Sequence, residues 1–125
     1  MKSILVLASA AALGGCVASD RTDLVEQGYE RGTLGVAAIE RQDWASAEAA
    51  LTRPSAVSED DPARLINLGR VYMETGRQDE ALALWRRALA SDRHFVAATR
   101  TGQPLSTEQI ARRALALYEQ RYASR

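Results

Sequence analysis

Residues 61–93 read DPARLINLGRVYMETGRQDEALALWRRALASDR, and this stretch decides the fold. It opens with Asp61 and a proline, an acidic cap followed by a residue well suited to the first helical position. Gly76 then interrupts the helical pattern, and acidic residues follow it at the start of a second helical stretch, where they suit the helix dipole. The stretch therefore predicts two helices, over residues 62–75 and 78–91, joined by a tight turn.

The same stretch resembles one tetratricopeptide repeat, a helix–turn–helix unit of about 34 residues. Counted from Pro62, the residues on signature positions are Leu65, Leu68, Gly69, Tyr72, Gly76, Ala81, Trp85 and Ala88. Trp85 stands where phenylalanine or another aromatic is usual and Leu65 where tryptophan is usual, while Arg93 replaces the closing proline. Since such units hold protein partners, the resemblance implies a binding module rather than an enzyme.

A weaker copy of the pattern precedes this unit by one repeat length. Gly35 and Ala47 take the positions of Gly69 and Ala81, where small side chains let the two helices of a pair approach closely. The copy fails at Pro54, which is expected to end its second helix early. We therefore expect a degenerate first repeat, with two unrelated amphipathic helix pairs as the alternative.

The end of the chain is expected to close the helical array. Ser106 and Gln109 fit a capping box, in which each side chain bonds the backbone of the other residue. The helix that follows carries an apolar stripe at helical spacing, formed by Ile110, Ala114, Leu117, Tyr118 and Tyr122. Such a helix covers the apolar face that the last repeat of an array leaves exposed.

These assignments predict an all-α fold of two antiparallel helix pairs, in the manner of tetratricopeptide repeats, plus a C-terminal capping helix. The domain is expected over residues 23–125, with repeats at about 28–60 and 62–93, first-repeat helices at 23–41 and 44–51, a short helical piece at 95–98 and the capping helix at about 106–122. The aromatic residues expected in the core, rather than in a ligand site, are Trp44, Tyr72, Trp85 and Tyr118.

Residues 1–15 predict an export signal rather than part of the fold. Lys2 precedes an apolar run over residues 4–13, whose helix would be about 15 Å long and too short to cross a hydrocarbon core of about 30 Å. A basic start, a short apolar core and small residues before a cleavage point are typical of a secretory signal peptide.

The Leu-Gly-Gly-Cys sequence at residues 13–16 resembles the lipobox of bacterial lipoproteins. The resemblance implies that Cys16 becomes the N-terminus after cleavage and is diacylated on its sulfur, with residues 16–22 as lipidated cysteine and tether. Lipid attachment accounts for the only cysteine in the chain, and two or more acyl chains anchor a protein stably. Val17 stands where aspartate tends to retain lipoproteins in the inner membrane, which implies the periplasmic face of the outer membrane.

Composition and motifs give no indication of catalysis, a metal site or a cofactor. The chain has 16 basic and 16 acidic residues, and every basic residue after Lys2 is arginine, which fits a GC-rich genome better than nucleic-acid binding. His94 is the only histidine, so neither a histidine-based metal site nor a serine–histidine pair is indicated. A helix-end or solvent-facing role is expected for it instead.

The resemblance assigns partner binding to the concave face of the array, which the first helix of each pair lines. The residues it places there are Tyr29, Val36, Ile39, Glu40, Ile66, Arg70, Met73 and Glu74, with Gly32 and Ala63 beside them. Apolar anchors with a polar rim suit a partner helix or an extended peptide. The alternative is that the C-terminal helix folds back over this face and makes these residues ordinary core.

We therefore expect a non-catalytic, membrane-anchored periplasmic lipoprotein that acts as an adaptor or assembly factor for an envelope complex of the pilus, secretion or outer-membrane assembly type. Its partners would be a protein or peptide segment and the membrane, through the lipid on Cys16, with no nucleic acid. A structural envelope subunit that self-associates is the alternative, because fewer than three repeats are marginal alone. Formation of a homo-oligomer therefore stays open, while the lack of a catalytic constellation disfavours an envelope enzyme.

Overall fold

A computed structural model describes residues 28–99 and 101–122 of the chain. Over this part the protein is mostly helical, with a small antiparallel sheet. The elements in chain order are α1 (Val36–Glu40), α2 (Trp44–Thr52), α3 (Pro62–Glu74), α4 (Gln78–Leu89), β1 (Val96–Ala98), β2 (Pro104–Ser106) and α5 (Thr107–Tyr122). The predictions for residues 1–27, which include the export signal, Cys16 and the tether, lie outside the described residues.

The strongest unit of the sequence forms the helix pair α3–α4, as predicted. Asp61 caps α3 because its Oδ1 accepts two backbone N–H groups of the first turn, at 2.9 and 3.2 Å. Gly76 turns the chain with a φ of 82°, a conformation that glycine adopts without strain. The two helices approach so closely that a Cβ on Gly69 would overlap the Trp85 indole. Trp85 Nε1 also donates to the carbonyl of Ile66 at 3.1 Å, so the indole is both packed and hydrogen bonded.

The first helix pair is shorter than predicted. In the described part, the helix expected over residues 23–41 is wrong before residue 36, because residues 28–35 form turns and α1 has only five residues. The glycines with positive φ in these turns are Gly28, Gly32 and Gly35. Each one leaves the helical region, which interrupts helical hydrogen bonding. Gly35 still packs on α2 as the pattern predicts, since a Cβ there would lie 3.2 Å from the carbonyl oxygen of Ala47.

Arg64 completes the end of α2, which Pro54 interrupts. α2 ends just before the proline, as predicted, and its last carbonyls need partners from outside the helix. The buried guanidinium of Arg64, on α3, supplies them, since Nε donates to Leu51 O at 2.7 Å and Nη2 to Arg53 O at 3.4 Å. Nη1 donates to Val57 O at 2.9 Å, so one side chain joins α2, the loop after it and α3.

A second arginine joins α2 to the turn between α3 and α4. Arg77 Nη1 and Nη2 donate to the two carboxylate oxygens of Glu48, at 2.9 and 2.5 Å. The same guanidinium lies 3.8 Å from the centroid of the Tyr72 ring. Hydrogen bonding from Arg77 holds the pKa of Glu48 below its usual range. Solvent-accessible ion pairs contribute little stability on their own, so this bidentate pair acts mainly by fixing the two helix pairs relative to each other.

The segment after α4 forms a β-hairpin, so the helical piece predicted at 95–98 is wrong. β1 and β2 are antiparallel, with Ala98 opposite Pro104, and Gly102 turns the chain between them with a φ of 76°. A helix confined between α4 and this turn would be too short to be stable, whereas strand pairing satisfies the backbone groups. The sheet was not predicted from the sequence.

α5 packs against α4 and α3 and closes the core. Ser106 N donates to Gln109 Oε1 at 2.9 Å and Gln109 N to Ser106 Oγ at 3.1 Å, which confirms the predicted capping box. Of the predicted apolar stripe, Ile110 and Ala114 are buried, whereas Leu117 is 44% exposed. α5 therefore covers the last helix pair mainly with its first half.

The hydrophobic core receives side chains from every helix of the described part. Its largest fully buried apolar members are Leu34, Ile39, Leu51, Val71 and Ile110. Of the aromatics predicted in the core, Trp85 is buried, and Trp44 and Tyr72 pack against the core while partly exposed. Tyr118 differs, since it stacks on Tyr122 with ring centroids 4.6 Å apart. The predicted fold class of helical hairpins with a C-terminal helix is thereby confirmed.

Candidate functional site

The residues predicted to bind a partner fall into three groups in the structure. Ile39 and Ile66 belong to the core, with exposed fractions of 1% and 3%. Tyr29 lies apart, close to the cap of α3. The remaining residues lie on α1 and on the second half of α3, and we call them the α1–α3 surface: Val36, Glu40, Arg70, Met73 and Glu74. Ile39 and Ile66 are therefore unavailable for direct contact with a partner, which leaves Tyr29 and the α1–α3 surface.

The α1–α3 surface places apolar side chains among charges. Arg70 Nε and Glu74 Oε1 form an ion pair of 2.8 Å one helical turn apart, with side chains 18% and 39% exposed. Met73 is half-buried, and Val36 packs partly against the core. Glu40 is also exposed, so the five residues comprise two carboxylates, one guanidinium and two apolar side chains.

A buried hydrogen bond fixes the start of α1 beside the middle of α3. Asn67 Nδ2 donates to Leu34 O at 2.9 Å, and both residues are fully buried. A buried polar group that loses its partner costs about 1–3 kcal/mol, so this bond strongly favours one placement of α1. The two parts of the α1–α3 surface are thereby held in a defined relation.

Tyr29 is held at the start of α3 by the cap residue Asp61. Its hydroxyl donates to the carboxylate, at 3.1 Å from each oxygen, and its ring centroid lies 6.3 Å from that of Phe95. Burial and the charge of Asp61 raise the pKa of Tyr29 well above its usual value, so the hydroxyl stays protonated and keeps donating. Met73 lies about 18 Å further along the helix axis, so Tyr29 is separate from the α3 part of the α1–α3 surface.

His94 lies at the junction of α4 and α5. Its Nε2 is 3.2 Å from Leu89 O and its Nδ1 is 3.0 Å from Thr107 Oγ1. Because a carbonyl oxygen only accepts, Nε2 donates to Leu89 O, and Nδ1 lies within hydrogen-bond distance of the Thr107 hydroxyl. The predicted helix-end role is confirmed, since the ring ties the end of α4 to the first turn of α5.

The described residues contain no group of three or more His, Cys, Asp or Glu side chains that could hold a metal ion. Over residues 28–99 and 101–122, no helix is long and apolar enough to cross a membrane.

Two contributions of the polar residues around α3 were missed by sequence reasoning. The sequence assigned no role to Arg64 and Asn67, but both are buried because α3 packs against α2, α4 and α5. Asp61 was predicted as a cap, and its second contact, to Tyr29, was not. The sequence did carry one signal, because Pro54 and the glycines before α1 interrupt helical hydrogen bonding and leave backbone groups in need of polar partners. The spacing of residues does not show which side chains of α3 supply them.

Comparison with known protein families identifies one repeat in this chain. Residues 62–95 match the family model of the tetratricopeptide repeat, which covers α3, α4 and the approach to β1. Residues 62–95 are therefore a tetratricopeptide repeat, a unit that forms binding surfaces for other proteins when stacked with its neighbours. No curated protein and no solved structure shows a significant match to the chain.

Proposed function

We propose that this protein is a non-catalytic adaptor of the bacterial cell envelope, tethered to a membrane by lipid on Cys16, which binds a segment of a partner protein. The tetratricopeptide repeat at residues 62–95 carries this proposal. Its first helix, α3, bears Arg70, Met73 and Glu74 at positions that such repeats use for binding. These three side chains retain solvent access, unlike the buried first half of the helix.

The chemistry of the α1–α3 surface favours an amphipathic helix or extended segment as the ligand. Met73 and Val36 offer adaptable apolar contact, and methionine in particular repacks easily around different side chains. Glu40, Glu74 and Arg70 provide a charged rim that sets orientation. Because so short an array offers little area, and interfaces below about 1,200 Å² are typical of transient complexes, we expect binding of modest affinity.

The membrane tether rests on the sequence around Cys16. The apolar run at residues 4–13 and the Leu-Gly-Gly-Cys sequence support export followed by lipidation. A tethered module meets partners in the same membrane at a raised effective concentration, which offsets modest affinity. Because Val17 stands where aspartate tends to retain lipoproteins in the inner membrane, we propose that the adaptor acts at the periplasmic face of the outer membrane, in the assembly of a pilus, secretion channel or outer-membrane complex.

Crosslinking in cells, followed by purification of the tagged protein, tests the binding surface. Met73→Glu puts a charge among the apolar contacts, so we expect it to lose the partner that wild type recovers. Arg86→Glu, on the exposed side of α4, is the matched control and is expected to keep that partner. Circular dichroism must give equal helicity for both variants. Equal recovery of the partner by Met73→Glu and wild type would contradict the proposal.

Self-association is a second candidate, favoured by the exposed second half of α5. Leu117 is 44% exposed there, and the stacked rings of Tyr118 and Tyr122 lie beyond the main core. Light scattering during size-exclusion chromatography separates the two candidates. A dimer that Leu117→Glu dissociates would support self-association, whereas a monomer at all accessible concentrations would exclude it.

A further inference from the structure

A half-open cleft of about 820 Å³ lies between the start of α3 and the end of α4. We call it the Tyr29 cleft; Tyr29, Asp61 and Phe95 are among the residues that line it. It shares no residue with the α1–α3 surface and lies about 18 Å from Met73 along α3. It is large enough for one long side chain with its flanking backbone.

Hydrogen bonds and a ring contact fix the geometry around Asp61 and Tyr29 in this cleft. Asp61 Oδ1 accepts the N–H groups of Ala63 and Arg64, at 2.9 and 3.2 Å, and both carboxylate oxygens lie 3.1 Å from the Tyr29 hydroxyl. The rings of Tyr29 and Phe95 are tilted by 43° with centroids 6.3 Å apart. A carboxylate held in one orientation therefore contacts Tyr29, whose ring is close to that of Phe95.

The charges of the Tyr29 cleft leave one carboxylate without a cation. Asp60 pairs with Arg87 at 2.5 Å, and Asp92 lies 4.0 Å from Arg93. Over residues 28–99 and 101–122, no ion pair joins a cationic side chain to Asp61. The pairs at Asp60 and Asp92 are exposed, whereas Asp61 is half-buried and, within the described part of the chain, accepts only from neutral donors, the N–H groups of Ala63 and Arg64 and the Tyr29 hydroxyl.

We propose that the Tyr29 cleft binds an arginine side chain of a partner polypeptide, with Asp61 as its counter-ion and the rings of Tyr29 and Phe95 against its guanidinium and aliphatic stem. A guanidinium forms short charge-assisted hydrogen bonds to a carboxylate and is attracted to aromatic faces. Arginine suits this combination better than lysine, because its planar group can stack and hydrogen bond at once. The proposal does not depend on the α1–α3 surface, and either can fail without the other.

A titration followed by nuclear magnetic resonance tests the ligand chemistry. The probes are acetyl-Gly-Arg-Gly-amide and the same peptide with citrulline, which keeps the shape of arginine but has no charge. We expect the arginine peptide to shift the amide signals of Ala63 and Arg64, which bond to Asp61, and of Phe95. The citrulline peptide should bind about tenfold more weakly, because it loses a charge-assisted contact. Equal shifts from both peptides, or none from either, would overturn the proposal.

A pair of variants tests the role of Asp61 in particular. Asp61→Asn removes the charge but keeps a good helix cap, so we expect a folded protein whose affinity for the arginine peptide falls about tenfold. Asp92→Asn removes an exposed charge of the same cleft and should leave the affinity within about twofold. Equal losses in both variants would mean general attraction to an acidic surface and would reject the site. Should Asp61→Asn fail to fold, the arginine and citrulline comparison on wild type still decides.

Discussion

Three polar side chains at α3 hold neighbouring segments in place, and each reaches a segment distant in sequence. Asp61 accepts from the Tyr29 hydroxyl, Arg64 donates to carbonyls at the end of α2, and Asn67 donates to Leu34 O. Because an unpaired buried polar group costs about 1–3 kcal/mol, these bonds favour one arrangement of the first helix pair. At the residue scale, polar side chains of α3 and its cap therefore hold Tyr29, the end of α2 and the start of α1 in place.

Arg64→Met tests how much one such residue contributes to stability. Methionine fills similar space and keeps the apolar stem, but the carbonyls of Leu51 and Val57 then lose their donors. We expect the free energy of unfolding to fall by roughly 2–4 kcal/mol, the cost of leaving buried acceptors unpaired. Urea unfolding measures it. Arg53→Met, at an exposed side chain, is the control and should change stability by less than about 0.5 kcal/mol.

The sequence could not predict the role of Arg64, because arginine is rarely buried unless it is paired. Pro54 predicts that α2 ends early, and therefore that carbonyls are left without helical donors. The donor comes from the next helix, across a loop whose path the sequence does not determine. In the candidate site the same limit applies to Tyr29, because its predicted place rested on a continuous helix through Gly32 and Gly35.

At the element scale, the sequence predicted a helix's first residue closely where the capping residue and the apolar periodicity indicated the same start. α3, α4 and α5 each begin within about two residues of the predicted start, which is the usual uncertainty of helix ends. The first helix failed because each internal glycine costs about 1 kcal/mol relative to alanine. Of the three glycines before α1, Gly35 alone has a neighbour within 4 Å of an added Cβ. Close packing therefore explains why a glycine is needed at position 35 only, whereas Gly28 and Gly32 allow the positive φ angles of the turns.

Gly69→Ala tests the close approach of α3 and α4. Alanine favours a helix over glycine by about 1 kcal/mol, but its Cβ would overlap the Trp85 indole, and overpacking costs about 1–3 kcal/mol. We expect the second effect to win and the thermal midpoint to fall. Combining Gly69→Ala with Trp85→Leu removes the overlap, so the added alanine should be less harmful in that background. A stabilised single variant would mean that the helices can separate without cost.

At the scale of the whole molecule, one tetratricopeptide repeat is supported on both sides by elements that depart from the pattern. A shortened first pair precedes it, and a β-hairpin leads to α5, which supplies Ile110 and Ala111 to the core. Repeat units bury their apolar faces against neighbours, and here these irregular elements take that role. They leave the Tyr29 cleft at the start of α3 and the side chains of Arg70, Met73 and Glu74 on its second half.

Cys16→Ser tests whether the whole molecule works from a membrane. Two or more acyl chains hold a protein stably on a bilayer, and no helix of residues 28–99 and 101–122 is long and apolar enough to cross one. We expect wild type to incorporate labelled palmitate and to leave the membrane fraction only with detergent. Cys16→Ser should take up no label and appear in the fluid released by osmotic shock. Ser19→Ala, three residues along the tether, is the control and should behave as wild type.

If the tether also raises the effective concentration of the adaptor, Cys16→Ser should recover less partner even though Met73 and its neighbours are unchanged. Unlabelled wild type in the osmotic-shock fluid would contradict the proposed membrane tether. The proposed protein binding would then be tested by the Met73→Glu comparison alone.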